Sequence, residues 1–216
     1  MRSYGQFCAV AKALDVIGDR WSLLIVRELL VRGPSRYTDV RRGVPGIATN
    51  LLADRLRELE RAGVIESRVA PPPVATTLFR LTPRGEALEP VLHELGRWGG
   101  PMLAEGRGDD DFQGHWLVVP ARVLLRDHAP DDPPATIELR TDDEPVTVEV
   151  GGGDVDTRAG AASRPDAVLE GPPELVLAVL AGRLPLAEAQ AAGLLYEGPP
   201  EVLARVQPDA AMSEYR

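Results

Sequence analysis

Apolar and polar positions follow a helical spacing along residues 46–65. Leu52, Leu56 and Leu59 recur at intervals of three and four residues, which places their side chains on one side of a helix. The other side carries small or hydrogen-bonding residues, namely Asn50, Ala53, Asp54, Arg57 and Arg61. The pattern predicts an amphipathic helix closed by Gly63. Alone, it is typical of an ordinary surface helix, so the flanking segments decide its role.

The segment before this helix predicts a second, shorter helix. Gly33 and Pro34 break the chain, and Ser35 can cap a helix over residues 36–42. Residues 43–46 then form a turn rich in glycine and proline. A short helix, a tight turn and a long helix with an exposed polar face make a helix-turn-helix.

The segment after the long helix predicts a β-hairpin. Residues 64–69 and 76–81 alternate as strands. Pro71, Pro72 and Pro73 form a stiff tip between them, since proline cannot donate a ladder hydrogen bond. A helix-turn-helix followed by a two-stranded wing is a winged helix, an architecture that reads DNA through an exposed helix in the major groove.

Several motifs in residues 4–98 resemble the HxlR-type branch of winged-helix transcriptional regulators, which are relatives of the MarR group. The motifs lie in order at residues 8–14, 18–29, 36–40, 46–65 and 81–85. Two departures are Ala9, where the family usually has proline after the cysteine, and Ala48, where serine often caps the recognition helix. Thr49 or a backbone turn is therefore expected to cap this helix.

An apolar stripe after the wing predicts a homodimer. Thr82 caps and Pro83 opens a helix running to about residue 98, with more apolar surface than a small winged helix can cover. The resemblance implies that helices flanking the winged helix form a homodimer interface. The residues expected there are Val10, Leu14, Ile17, Leu88, Val91, Leu92, Leu95 and Trp98.

The net charge of −9 is distributed unevenly between the two halves of the chain. Residues 1–100 carry 15 basic and 11 acidic residues, a net charge of +4, while residues 101–216 carry 9 and 22, a net charge of −13. A basic first half suits contact with phosphates. The polar segment 105–113 is the predicted linker between a DNA-binding and dimerisation domain, residues 1–104, and a second domain, residues 114–216.

The second half predicts an α+β domain with an antiparallel sheet. Residues 116–126 indicate a helix, and residues 136–140, 146–150 and 155–158 alternate as strands. A similar sequence motif occurs twice, at residues 170–175 and 197–202. Each copy places Gly-Pro-Pro-Glu after a strand and at a helix start. The fold class is therefore a mainly α winged-helix domain followed by an α+β domain.

Residues 166–206 resemble the sterol-carrier-protein-like domain of some actinobacterial regulators. The resemblance implies an apolar cavity between sheet and helices, which would bind a small apolar ligand, although most residues facing it would be plain core. The candidate lining residues are Trp116, Leu117, Leu124, Val176, Leu180, Leu186 and Leu195.

Contacts to DNA divide into two sets. The residues expected to face base edges are Thr49, Asn50, Ala53, Asp54 and Arg57, with Arg57 also within reach of phosphate. The residues expected to contact phosphates are Arg36, Arg41, Arg42, Arg68 and Arg80. Arg55 lies nearer the buried side of its helix, so it is expected to support the helix through an internal salt bridge.

Other chemistry finds little support in the sequence. His93, His115 and His128 lack metal-ligand spacing, and no phosphate loop or nucleophile–base pair is present, so neither an enzyme nor a cofactor is expected. The single cysteine, Cys8, is either a packed apolar residue or, as the resemblance implies, a redox sensor, in which case the cation of Lys12 would make the thiol more reactive. The chain has no signal peptide and no membrane span, which predicts a cytoplasmic protein.

The sequence as a whole predicts a homodimeric repressor that binds a palindromic operator on double-stranded DNA, with a small apolar ligand as effector. Sensing through Cys8 is the alternative form of regulation. The alternative function is a lipid or small-molecule carrier whose helix-turn-helix binds a protein; a carrier predicts no salt-dependent binding to duplex DNA.

Overall fold

The computed structural model describes residues 3–71 and 75–208. The chain divides into two compact units, Met1–Leu92 and His93–Arg216. The division falls inside a helix, and the linker predicted at residues 105–113 stays a prediction. Pro72 and Pro73 of the predicted wing tip lie outside the described residues.

The first unit is a winged helix-turn-helix, as predicted. Its helices are α1 (Ala9–Ile17), α2 (Ser22–Arg32), α3 (Tyr37–Gly43), α4 (Thr49–Arg61), α5 (Pro83–Glu86) and the first part of α6 (Glu89–Gly99). Its strands are β1 (Ser35–Arg36), β2 (Ile65–Val69) and β3 (Thr77–Leu81), all antiparallel in the order β1-β3-β2. The core joins apolar residues of α2, α3, α4 and the sheet.

The wing sheet has a third strand that the two-stranded prediction missed. Ser35, predicted to cap α3, instead pairs with Phe79 of β3, and its hydroxyl donates to the Gly33 carbonyl at 3.0 Å. The prediction for Ser35 is therefore wrong, and α3 begins at Tyr37. A two-residue strand shows no periodicity, so only its pairing reveals it.

The predicted amphipathic helix is confirmed as α4. Leu52, Leu56 and Leu59 are at most 2% exposed. Ala48 is the N-cap residue and makes no side-chain cap hydrogen bond, and Thr49 is the first residue inside the helix. Thr49 is thus not the cap.

The helix predicted from residue 83 to about 98 is two helices. The predicted cap is confirmed, because the Thr82 hydroxyl accepts a hydrogen bond from the Gly85 amide at 3.2 Å. The chain then breaks between α5 and α6. Pro90 explains the break, since its ring lacks an N–H and would crowd the Glu86 carbonyl in a continuous helix.

The second unit is an α+β fold. Besides the end of α6, its helices are two 3₁₀ segments (Gly100–Glu105 and Gly114–Leu117), α7 (Val118–Leu124), α8 (Pro173–Leu180), α9 (Leu186–Ala191) and α10 (Pro200–Arg205). Its strands are β4 (Leu125–Asp127), β5 (Ala135–Arg140), β6 (Val146–Gly151), β7 (Asp154–Ala159), β8 (Ala167–Glu170), β9 (Leu195–Glu197) and β10 (Val206–Pro208).

The main sheet of this unit is mixed, which corrects the predicted antiparallel sheet. Its order is β7-β6-β5-β8-β9, and β8 runs parallel to β5, with Ile137 opposite Ala167. The chain leaves edge strand β7 and returns on the far side of β5. The strands predicted at residues 136–140, 146–150 and 155–158 are confirmed, as are the helix starts at both Gly-Pro-Pro-Glu motifs, where each helix begins at the second proline.

The helix predicted over residues 116–126 is also corrected. A 3₁₀ segment covers its start, α7 covers its middle, and Leu125–Asp127 forms strand β4, which pairs with β10. A hydrogen-bonding partner late in the chain thus ends the helix early. Among residues 3–71 and 75–208, every helix is too short or too polar to cross a membrane.

Candidate nucleic-acid interface

Helix α4 presents a polar face opposite its buried leucines. Thr49, Asn50, Asp54 and Arg57 are exposed, while Ala53 is half-buried. Four of the five residues expected to face bases are therefore accessible to a duplex, and the small Ala53 side chain lets a base edge approach the helix. Their contact with DNA stays a prediction.

The start of α4 is held by a tyrosine from α3. The Tyr37 hydroxyl donates to the Thr49 carbonyl oxygen at 2.6 Å. This bond ties the first helix of the helix-turn-helix to the second, beside the residues expected to meet the bases. Tyr37 was not among the predicted site residues, because a phenol twelve residues before a helix start gives no local signal.

Arg57 is held by two contacts within its own helix. Its Nε donates to the Ala53 carbonyl at 3.3 Å, and its Nη2 forms an ion pair with Asp54 Oδ1. The two side chains remain 62% and 51% exposed, respectively. The guanidinium is thus oriented without being buried.

Arg55 supports α4, as predicted. Its Nη1 lies 2.6 Å from Glu58 and 3.7 Å from Asp19, which precedes α2, and its side chain is only 21% exposed. Arg55 therefore links α4 to the preceding part of the domain.

A buried charged cluster lies between α2 and α3. The Glu28 side chain is fully buried and accepts hydrogen bonds from Arg27 Nε and Nη2 at 3.1 and 2.8 Å. Arg27 Nη2 also donates to the Gly43 carbonyl, at the end of α3, at 3.1 Å. This cluster was not predicted, although a charged residue between Ile25 and Leu29 on the apolar stripe of α2 is a signal for it.

The two wing arginines share one carboxylate. Arg80 Nε donates to Glu66 Oε1 at 2.5 Å, and Arg68 Nη2 lies 3.2 Å from the same oxygen. Hydrogen bonding from Arg80, aided by the charge of Arg68, holds the pKa of Glu66 below its usual value. A DNA phosphate would have to compete with Glu66 for these two guanidinium groups.

The wing is tied to α4 near its base. The Glu60 carboxylate accepts hydrogen bonds from the Ser67 amide at 3.1 Å and the Ser67 hydroxyl at 2.6 Å. The position of β2 thus follows the C-terminal end of α4.

Three arginines in or directly before α3, the first helix of the helix-turn-helix, are exposed. Arg36, Arg41 and Arg42 are all accessible, and Arg41 and Arg42 line an open groove at the turn between α3 and α4. Arg42 lies 4.0 Å from Asp39. These side chains can reach an anion beside the recognition helix.

The apolar residues expected at a dimer interface differ in exposure. Val10 and Trp98 are each 67% exposed, and the remaining exposed members are Leu14, Val91 and Leu95. Ile17 and Leu92 are buried within the chain, and Leu88 is half-buried against the core, so these three contribute little surface. Met102 and Leu103, which the sequence analysis did not single out, are also exposed.

The candidate ligand-pocket residues of the second unit are mostly interior. Leu117, Val176 and Leu180 are at most 2% exposed. Trp116, Leu124 and Leu186 are half-buried. Leu195, however, is 60% exposed on edge strand β9, because the buried leucine at this point is Leu194; Leu195 therefore does not lie inside an enclosed cavity.

Two further predictions concern the reactivity of Cys8 and the binding of metal ions. Cys8 is an exposed free thiol at the start of α1, and the ammonium of Lys12 lies 3.7 Å from Asp15. Over the described residues, no group of three or more histidine, cysteine, aspartate or glutamate side chains is placed to hold a metal ion.

Comparison with known proteins finds relatives of the first unit. Residues 16–106 match the HxlR-like helix-turn-helix family. The HTH-type transcriptional regulator YvaP of Bacillus subtilis is 37% identical over 87 residues, which are 40% of this chain and 80% of YvaP. The HTH-type transcriptional regulator YodB of the same species is 33% identical over 94 residues, which are 44% of this chain and 83% of YodB.

A solved structure of reduced YodB aligns with 47% of this chain and 99% of its own, at 31% identity and a TM-score of 0.41. The matching relatives are HTH-type transcriptional regulators, and the first unit of this chain is a winged helix-turn-helix with an exposed polar face on α4. The chain therefore belongs to the HxlR-like helix-turn-helix family and is a DNA-binding transcriptional regulator.

Proposed function

We propose that the protein is a cytoplasmic homodimeric repressor that binds a palindromic operator. The observation that carries this proposal is the uncovered apolar surface of α6. Val91, Leu95 and Trp98 recur at helical spacing and are 40%, 45% and 67% exposed. A regulator with a tryptophan and a leucine facing water on one helix gains stability by covering them, and a second copy supplies the same surface.

Val10 and Leu14 form a second exposed apolar pair on α1. A dimer made through these helices presents two copies of α4, which can read two half-sites one helical turn apart. Binding of the duplex by both copies blocks transcription when the operator overlaps a promoter. Repression is therefore the simplest consequence of this geometry.

The first test changes the apolar surface. Trp98→Glu is expected to convert the 46–47 kDa species, twice the 23.3 kDa chain, into the single chain, because a carboxylate cannot be buried there unpaired. Affinity for a full palindrome should fall by roughly a hundredfold, since the second half-site no longer adds avidity. Analytical ultracentrifugation and fluorescence anisotropy measure the two effects.

Gln190→Glu on α9 is the matched control, since it adds the same charge at an exposed site outside α6. It should leave both mass and affinity unchanged. A wild-type protein that sediments as a single chain while binding the palindrome at full affinity would disprove the homodimer.

We assign phosphate contacts to Arg36, Arg41, Arg42, Arg68 and Arg80 and base contacts to Thr49, Asn50, Ala53, Asp54 and Arg57. Arg41 and Arg42 lie on α3 and Arg68 lies on β2, the elements before and after α4 along the chain, while Arg36 and Arg80 lie on the neighbouring strands β1 and β3. They position the duplex, whereas α4 distinguishes its sequence.

The second unit is proposed to bind a small apolar ligand that changes operator affinity. Leu117, Val176 and Leu180 supply an apolar interior from the 3₁₀ segment and from α8. A ligand acts only through its different affinities for the DNA-bound and free states, so the expected change is about 5- to 150-fold.

A paired titration tests this effector. Operator binding is measured with and without a medium-chain fatty acid, a sterol and a quinone, for wild-type protein and for Cys8→Ser. Binding in the second unit predicts the same ligand response in both proteins. If Cys8→Ser abolishes every response, the effector site of the second unit is refuted and regulation through the thiol replaces it.

A further inference from the structure

We propose that Arg57 and Asp54 together read one G·C base pair in the major groove. This inference rests on the proposed function, in which α4 faces the bases, and it states which base pair the middle of α4 selects. Arg57 and Asp54 lie one turn apart on α4, both more than half exposed and already paired with each other.

The geometry of Arg57 leaves a defined edge of its guanidinium open. Its Nε donates to the Ala53 carbonyl, and one Nη2 hydrogen goes to Asp54 Oδ1. Nε lies on the side-on edge of the guanidinium and Nη2 borders both edges, so the two intrahelical contacts need neither Nη1 nor the second hydrogen of Nη2. The end-on edge keeps two parallel N–H groups, on Nη1 and Nη2. Two parallel donors match guanine, whose O6 and N7 are both acceptors in the major groove.

Asp54 restricts the partner base. Its Oδ1 is occupied by Arg57, and its Oδ2 offers a second acceptor. Cytosine presents an amino group in the major groove, which can donate to that oxygen, whereas thymine presents an acceptor that a carboxylate repels. A guanine under Arg57 with its paired cytosine beside Asp54 satisfies both side chains.

The carboxylate also argues against a phosphate contact at this position. A phosphate placed on Arg57 would lie next to the negative charge of Asp54, which is one turn away and tied to the same guanidinium. Repulsion between the two anions disfavours that arrangement. Among the described residues no carboxylate pairs with the exposed Arg41, so Arg41 suits a phosphate better than Arg57 does. Of the arginines assigned to phosphates, Arg42, Arg68 and Arg80 must exchange a carboxylate partner for the phosphate.

The test selects binding sites from a library of randomised duplexes with the full-length chain. Wild-type protein is expected to enrich sites with one fixed G·C pair at the centre of each half-site. Arg57→Gln should lower discrimination at that pair by about ten- to a hundredfold and move the preference toward A·T, because glutamine matches adenine. Asp54→Asn should relax the same position and raise affinity for unrelated duplexes, since it removes a negative charge.

Arg41→Ala is the control. It should weaken binding to all sequences alike, lower the salt slope by about one, and leave the preferred site unchanged. Circular dichroism melting of each variant establishes that folding is intact. If Arg57→Gln weakens all sequences equally and keeps the G·C preference, Arg57 is a phosphate contact and the inference is wrong. If wild-type protein enriches no duplex at all, the proposed operator-binding function fails as well.

Discussion

Glu28→Ala is expected to lower the free energy of unfolding of the first unit by about 3–5 kcal/mol, the range for removing one partner of a buried ion pair. The Glu28 carboxylate is fully buried, and Arg27, which donates to Glu28 Oε1 through both Nε and Nη2, is only 19% exposed. Burial lowers the pKa of Arg27, and Glu28 opposes that shift. Without Glu28, the Arg27 guanidinium would remain in an apolar site without its anion.

The same substitution should weaken operator binding beyond its effect on stability. Arg27 carries the link from Glu28 to the Gly43 carbonyl, and the turn that leads to α4 starts at Gly43. The Glu28 carboxylate packs so closely on Gly43 that an added Cβ there would lie 1.9 Å from Glu28 Oε2. The cluster thus fixes where α3 ends, and through the turn it fixes the start of α4.

Urea unfolding monitored by circular dichroism measures the stability change, and fluorescence anisotropy measures DNA affinity well below the unfolding transition. Glu28→Gln keeps the side-chain shape and should show a smaller loss. Glu86→Ala, at an exposed position on α5, is the matched control and should change stability by less than about 0.5 kcal/mol. Equal unfolding midpoints for Glu28→Ala and Glu86→Ala would contradict the prediction.

The helix-turn-helix could be predicted from sequence because its signals are local. The leucine spacing of α4 needs no knowledge of distant residues, and neither does the alternation of the two wing strands, β2 and β3. Ser35 was wrongly predicted to cap α3 because its role depends on a distant residue: its strand partner, Phe79, lies 44 residues further along the chain. A capping serine and a strand serine have the same local sequence, so tertiary pairing alone separates them.

The second unit shows the same limit at the level of the sheet. The strands β5, β6 and β7 were predictable from alternation and from the turns between them. The direction of β8 was not, because alternation within a strand carries no information about which neighbour it joins. Arg140 and Glu170, at the last matched pair of β5 and β8, form an ion pair that appears only in the folded sheet.

For the candidate DNA-binding surface, the sequence identified residues that are mostly accessible, but it did not identify the side chains with which they pair. Arg57 with Asp54 follows from helical spacing, and Glu66 with Arg80 follows from the hairpin register that places them opposite each other. Both pairs were therefore within reach of the sequence. The Tyr37–Thr49 bond was not, because it depends on how the turn between α3 and α4 is folded.

The second large effect is expected at Asp127, where Asp127→Asn should lower the melting temperature of the second unit by about 5–10 °C at pH 7. Arg205 donates to the Asp127 carboxylate through Nε at 2.7 Å and Nη2 at 2.9 Å, and the Ala129 and Gly153 amides each donate at 3.0 Å. The Asp127 side chain is fully buried. The change would remove the anion that binds Arg205 while leaving Arg205 in place.

The pH dependence of stability provides a sharper readout at the same residue. Hydrogen bonds from Arg205, then from the two amides, hold the pKa of Asp127 far below its usual value. A carboxyl whose pKa is lower in the folded state contributes stability above the unfolded pKa, near 3.9, and loses it as the pH falls toward the folded value.

Calorimetry between pH 7 and pH 2 should therefore show the wild-type melting temperature falling below about pH 4, with a shallower fall for Asp127→Asn because asparagine cannot take up the proton. Asp156→Asn is the control. Asp156 pairs with Arg122 but is 78% exposed, so its replacement should change the melting temperature little at neutral or acid pH. If Asp127→Asn and Asp156→Asn melt alike at pH 7 and have the same acid slope, the Asp127–Arg205 pair does not stabilise the unit. A separation confined to Asp127→Asn would show that this buried pair holds β4 to α10 and to the turn between β6 and β7.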